Sequence, residues 1–127
     1  MNIQTNQSNL RQILNANAMF SATSGLFFLL AAKPLAGFLG TTQTVMYFLA
    51  IVMFGYAALI VFNTYRGEIS RGFTLFTVIG DTAWVLGSIL LLLLPGISTE
   101  AKWAIGITAI CVDIFATLQF LEWRKMG

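Results

Sequence analysis

Residues 72–94 read GFTLFTVIGDTAWVLGSILLLLL, an apolar run broken by one acid, Asp81, and holding no base. A helix needs about 20 mostly apolar residues to cross a hydrocarbon core of roughly 30 Å. This stretch is long enough, and it is bounded by Arg71 on one side and Pro95-Gly96 on the other. Proline cannot continue a helix, so the run has both a start and a stop. The pattern recurs at residues 10–32, closed by Lys33-Pro34, and at residues 43–65 and 99–123. Ser98 or Thr99 followed by Glu100 has the form of a capped helix start, with an acid at the positive end of the helix dipole. The connections 33–42, 66–71 and 95–98 are short. The expected fold is all-α: a polytopic membrane protein forming a four-transmembrane-helix antiparallel bundle, with residues 1–127 as a single domain.

Composition agrees with that reading. Of 127 residues, 57% are hydrophobic and 9% charged, with a mean hydropathy of +0.81. Soluble domains carry about 25% charged residues, so this chain cannot clothe a water-facing surface. With no His and one Cys, it cannot build a Ser-His-Asp triad, a His-ligated metal or haem site, a Cys cluster or an intrachain disulfide. No metal ligand, cofactor or catalytic residue is assigned on these grounds. Cys111, in the middle of the fourth span, reads as a small buried hydrophobe.

The first span reads as retained rather than as a signal peptide. Residues 1–9, MNIQTNQSN, lack a basic residue, and the apolar stretch is too long for a signal h-region. The polar tail itself is expected to fray or to lie along the membrane surface. Arg11, Arg66, Arg71, Arg124 and Lys125 gather on the side of the two termini, against Lys33 and Lys102 opposite. That asymmetry predicts cytoplasmic N- and C-termini in a prokaryotic inner membrane. It also explains the net charge of +2 without a nucleic-acid partner. Tyr65, Trp103 and Trp123 fall near span ends, where aromatic rings anchor at the interface. The loop 33–40 is too apolar for a solvated connection and is expected to lie in the interface as a short amphipathic turn.

Two ionisable residues remain inside the spans, Asp81 and Asp113. Asp81 lies ten residues from Arg71 and Asp113 nine from Glu122. At about 1.5 Å per residue, both carboxyls sit near the middle of the hydrocarbon. Ser21 and Tyr56 fall at the same depth by the same count, from Arg11 and Arg66. Helical spacing lines up Asn17, Ser21 and Ser24 on the first span and Tyr56 and Asn63 on the second. It lines up Thr77, Asp81, Trp84 and Ser88 on the third, and Gly106, Ala109, Asp113, Ala116 and Phe120 on the fourth. Pointed inward, these faces give a polar layer with Thr117 and Gln119 towards the cytoplasmic side. Candidate binding residues are Asp81, Asp113, Ser21, Tyr56, Trp84, Asn17 and Asn63. Two carboxyls meeting in one layer resist joint ionisation, and one would hold a proton; in the alternative arrangement only Asp81 is buried and Asp113 faces another subunit.

Three stretches, residues 32–40 (AKPLAGFLG), 80–88 (GDTAWVLGS) and 118–124 (LQFLEWR), resemble a group of short bacterial four-helix membrane proteins without an assigned activity. The resemblance implies a prokaryotic membrane and draws attention to Asp81 and Trp84. Small multidrug transporters differ in wanting a glutamate within the first helix. Vitamin K epoxide reductase-like enzymes differ in their Cys pair, and membrane glutathione transferase-like proteins in an Arg- and Glu-rich second helix.

Ionisable groups inside a membrane are expensive and tend to mark pathways or binding sites. The leading expectation is a binding or transport module with a midplane Asp/Ser/Tyr site for a proton, a small cation or an amphiphilic ligand, assembled as a homo-oligomer. The same polar groups would also serve a structural or accessory subunit of a larger membrane complex, in which they only hold helices together. A membrane enzyme acting on a lipid-soluble substrate, with Asp81 as general acid-base, ranks last. The chain carries no internal Lys, Arg or His to stabilise developing charge.

Overall fold

The computed structural model describes residues 3–126, with side-chain placement from Gln7 onward. Five helices account for most of them: α1 (Ile3–Leu30), α2 (Ala32–Leu39), α3 (Gln43–Thr64), α4 (Arg71–Leu92) and α5 (Thr99–Lys125). No strand occurs among the described residues. Four of the helices are long and apolar enough to cross a membrane: Gln7–Leu30, Gln43–Thr64, Arg71–Leu92 and Thr99–Lys125.

Two expectations change at the start of the chain. The polar tail is helical from Ile3 rather than frayed, while Met1 and Asn2 lie outside the described residues. The apolar loop 33–40 is an eight-residue helix rather than a turn. The helical path breaks at Ala31, so that Pro34 falls in the first turn of α2, where its missing N–H costs nothing. Ala32 and Ala36 bury against Met46 of α3, and Gly40 closes the helix at φ 73°, a left-handed conformation open to glycine.

The remaining ends are capped by the residues the sequence supplies. Thr42, Ser70 and Ser98 accept bonds from the amides of Val45, Phe73 and Ala101 at 3.3, 3.0 and 3.1 Å. Glu100 opens α5 and Arg124 and Lys125 close it, each charge matched to the nearer end of the dipole. The α3–α4 turn is held from a distance. Gln7 donates to the Ile69 carbonyl at 2.8 Å and accepts from the Ile69 amide at 2.9 Å. Arg11 donates to the Gly67 carbonyl at 2.7 Å. These bonds reach across the bundle to a turn whose own backbone lacks helical partners, and they anchor the first turns of α1.

Helix α1 packs chiefly on α3 and α4 chiefly on α5, with α1 also meeting α5 and α2 lying on α3. Gly25 permits the α1–α3 approach. A Cβ there would stand 3.2 Å from the Ala50 carbonyl oxygen and 3.3 Å from Met53 Cβ. Leu10, Leu14, Ala18, Ala57, Ile60 and Ile69 form the larger apolar cluster. Phe20 of α1 meets Phe115 of α5 with ring centroids 5.7 Å apart.

The distribution of side chains differs from that of a water-soluble bundle, with polar groups admitted to the interior and large apolar ones left outside. The interior holds Gln7, Asn17, Thr74, Thr77, Asp81 and Gln119, whereas Leu30, Ile51, Phe62, Leu90 and Ile110 stand outside. In water such a surface would aggregate; against lipid it costs nothing. Exterior hydrophobicity and interior polarity make this a membrane-spanning chain.

Candidate functional site

Asp81 sits halfway along α4, ten residues after Arg71 and eleven before Leu92. Its side chain is 4% exposed, and a group from each of the other three long helices reaches it. Asn17 of α1 and Gln119 of α5 each donate an amide N–H to Oδ2, both at 2.8 Å. Tyr56 of α3 presents its hydroxyl to Oδ1 at 2.9 Å. Asn17 gives its second amide hydrogen to Gln119 Oε1 at 2.8 Å, closing a triangle with the carboxylate. Ser21 donates to Asn17 Oδ1 at the longer distance of 3.4 Å. Every distance except that last one lies in the range of a well-made hydrogen bond.

Local sequence explains the convergence. Asn17 and Ser21 are four apart and share the inner face of α1. Gly80 precedes Asp81, and a Cβ at that position would lie 3.5 Å from Tyr56 Cε1, so the ring rests against the α4 backbone. Phe76 flanks the same ring at a centroid distance of 6.2 Å. Ala109, Val112, Ala116 and Gln119 make the inner face of α5, and their small volumes bring the Gln119 amide close to α4.

The hydrogen count around Tyr56 is the informative feature. Its hydroxyl faces two acceptors, Asp81 Oδ1 at 2.9 Å and the Thr77 carbonyl at 3.2 Å, with one hydrogen to give. Asp81 itself receives three neutral donors, and none of the groups bonded to it is a cation. One added proton would complete the pattern. Placed on Oδ1, it points to the Tyr56 oxygen, and the Tyr56 hydrogen turns to the Thr77 carbonyl.

Comparison with protein-family models, curated proteins and solved structures finds no match. The residues themselves therefore carry the functional reading.

Of the seven candidates, Asp81, Asn17, Tyr56 and Ser21 come together, and the other three do not join them. Asp113 is exposed on the outside of α5, so the two carboxyls that share a depth do not meet. The inner face of α5 runs through Val112 and Gln119, one position away from the face that carries Asp113. Asn63 is half-buried and donates to the Leu59 carbonyl of its own helix at 2.8 Å. Trp84 is half-buried, and its backbone carbonyl accepts from Ser88 Oγ at 2.9 Å. The residue missing from the candidates is Gln119, which is fully buried and bonded directly to the acid. Its position three residues after Ala116 was the available signal, since it shares that small residue's face.

Thr77 and Thr74 lead away from the cluster towards the end of the bundle where Gln7, Ile69 and Lys125 lie close together. Thr77 Oγ1 donates to the Thr74 carbonyl at 2.7 Å, and Thr74 Oγ1 to the Ser70 carbonyl at 3.0 Å. At that end a cleft of about 390 Å³ is lined by Gln7, Glu68, Arg71, Glu122 and Lys125 among others. The Arg71 guanidinium lies 4.1 Å from the centroid of the Trp123 ring.

Proposed function

We propose that this chain is a small binding or transport module of a prokaryotic cytoplasmic membrane, in which the Asp81 cluster takes up and releases a proton. The four long helices run up and down as an antiparallel bundle, with both termini in the cytoplasm. The observation that carries the reading is the single Tyr56 hydrogen set between two acceptors, beside a carboxyl whose other oxygen is already saturated. A metal or organic cation suits the site less well. The two amides aim N–H groups, not oxygens, at the carboxylate, and a cation would have to displace them. Proton transfer needs no such displacement, only the turning of one hydroxyl.

Infrared spectroscopy of the protein in liposomes tests this directly. In an Asp113→Asn background, a carboxylic-acid C=O band should grow as pH falls and vanish when Asp81→Asn is added. A band in that background that is unchanged by Asp81→Asn would overturn the assignment. Proton flux into the same liposomes, read with a pH-sensitive dye, then separates transport from uptake alone.

The structural reading retains one observation in its favour. The bonds to Asp81 come from three different helices, which is the arrangement of a clasp. Helix–helix hydrogen bonds in membranes average about 0.6 kcal/mol, so three of them can hold a bundle in register without any activity. Under that reading Asp81 shows no protonation change over the range in which the bundle stays folded.

A further inference from the structure

Asp113 lies near the centre of α5, fourteen residues after Thr99 and twelve before Lys125. Its carboxyl is exposed between Ile110 and Ile114, which are 63% and 53% exposed. Among the described residues no side chain bonds it. On insertion scales an acid at this depth costs about 2.5–3.5 kcal/mol when it faces lipid. The group therefore calls for a polar partner at its own depth. This chain's basic residues are the wrong answer: Lys33, Arg66, Arg71, Lys102, Arg124 and Lys125 lie at or near helix ends, and Arg11, further inside α1, is tied to the Gly67 carbonyl of the α3–α4 turn at 2.7 Å.

The surface around Asp113 is shaped as well as charged. Gly106, Ile110, Asp113 and Thr117 follow one another at helical spacings of four, three and four along α5. At Gly106 the space a Cβ would occupy is open. A groove of about 270 Å³ lies there, lined by Trp103, Gly106, Ile107 and Ile110. The same face thus offers a notch, a knob one turn away and a hydrogen-bonding group at the centre.

We propose that this face of α5 is covered by the same face of a second copy of the chain, related by a two-fold axis along the membrane normal. Such an axis keeps every residue at its own depth, so the group facing Asp113 is Asp113 of the second copy. The two carboxyls share a hydrogen bond at the axis, with Thr117 supplying a hydroxyl one turn away. Ile110 of each copy enters the notch left by Gly106 of the other. No other occupant meets the depth requirement with a group already on the page. The inference stands apart from the Asp81 reading and survives its failure.

Disulfide trapping in membranes tests the seam. In a Cys111→Ala background, Ile110→Cys should give a covalent dimer on mild oxidation, while Phe48→Cys, exposed on α3, should not. Adding Asp113→Leu should lower the yield at least about tenfold, an effect of about 1.4 kcal/mol. Asp113→Asn should keep the dimer, because an amide pair can still bond. Gly106→Leu, which fills the notch from an open position, should abolish it independently. Circular dichroism should show unchanged helix content in all these variants, since each alters the outer surface. A monomer in nanodiscs, a dimer indifferent to Asp113→Leu, or an Ile110→Cys adduct with a different protein would each overturn the proposal.

Discussion

Tyr56→Phe removes one oxygen and leaves the ring packed against Gly80 and Phe76, so its effect can be assigned to hydrogen bonding. Beside an ionised Asp81 the hydroxyl has two acceptors but one hydrogen, so the substitution removes one bond's worth of energy, not two. If Asp81 is ionised, the lost bond is charge-assisted and worth about 1.5–3 kcal/mol. If Asp81 holds a proton, the hydroxyl accepts from it and donates to the Thr77 carbonyl, and losing two neutral bonds costs about 1.2 kcal/mol at the membrane average of about 0.6 kcal/mol each. The cost of Tyr56→Phe should therefore be larger at alkaline pH and should fall as the proton is taken up. In an Asp81→Asn background the oxygen survives but no charge can form, so the cost should stay near 0.6 kcal/mol at every pH. Unfolding of the four variants in bicelles, by steric trapping or titration with a denaturing detergent, gives the required cycle. A pH-independent cost, equal in the two backgrounds, would refute the idea that Asp81 changes protonation beside Tyr56.

Other perturbations follow from single contacts. Gln7→Ala leaves the buried Ile69 amide and carbonyl without partners and should cost about 1–3 kcal/mol; hydrogen exchange at Ile69 should accelerate with it. Gly25→Val inserts a branched side chain against the Ala50 carbonyl and should cost about 1–3 kcal/mol of thermal stability in detergent. Gln119→Leu should destabilise the bundle and change the Asp81 infrared band, while Thr117→Leu, two positions away but exposed, should leave that band unaltered.

The sequence made the spans legible because two signals agreed: long apolar runs, and prolines, glycines and basic residues at their edges. Where one signal stood alone, the reading was off. Pro34 looked like the end of a helix, but it occupies the first turn of the next one, so α2 was read as a turn. Residues 3–9 have no apolar periodicity, and Gln7 ties their helix to Ile69, a partner 62 positions away. The polar cluster was legible through depth: counting from the basic residues placed Ser21, Tyr56 and Asp81 in one layer, and helical spacing added Asn17. Depth does not determine rotation about the helix axis. Asp113 shares the depth, but the inner face of α5 is set by Val112 and Gln119, which turns the acid outward.

Rotation also decides how a proton could arrive. Buried polar side chains extend from Asp81 towards the end where Gln7 meets Ile69: Thr77 and Thr74 on α4, Thr64 on α3, and Gln119 and Glu122 on α5. In the other direction, among the described residues, Ser88 is the buried polar group on α4 beyond Asp81, and its hydroxyl is spent on the Trp84 carbonyl. Water and protons need polar partners to enter hydrocarbon, so these side chains favour access to the buried Asp81 from that side. In liposomes carrying the protein in one orientation, the Asp81 carboxyl band should follow the pH of the compartment on that side and ignore the other. Replacing Thr77 by Val should slow that response without removing it, because Gln119 and Glu122 still line the same side. Equal response to both compartments would mean that the bundle opens in a second conformation, in which the apolar half around Ser88 admits water. One-sided response would restrict the cluster to uptake and release at a single face, and a vectorial role would then require the second copy or a moving helix.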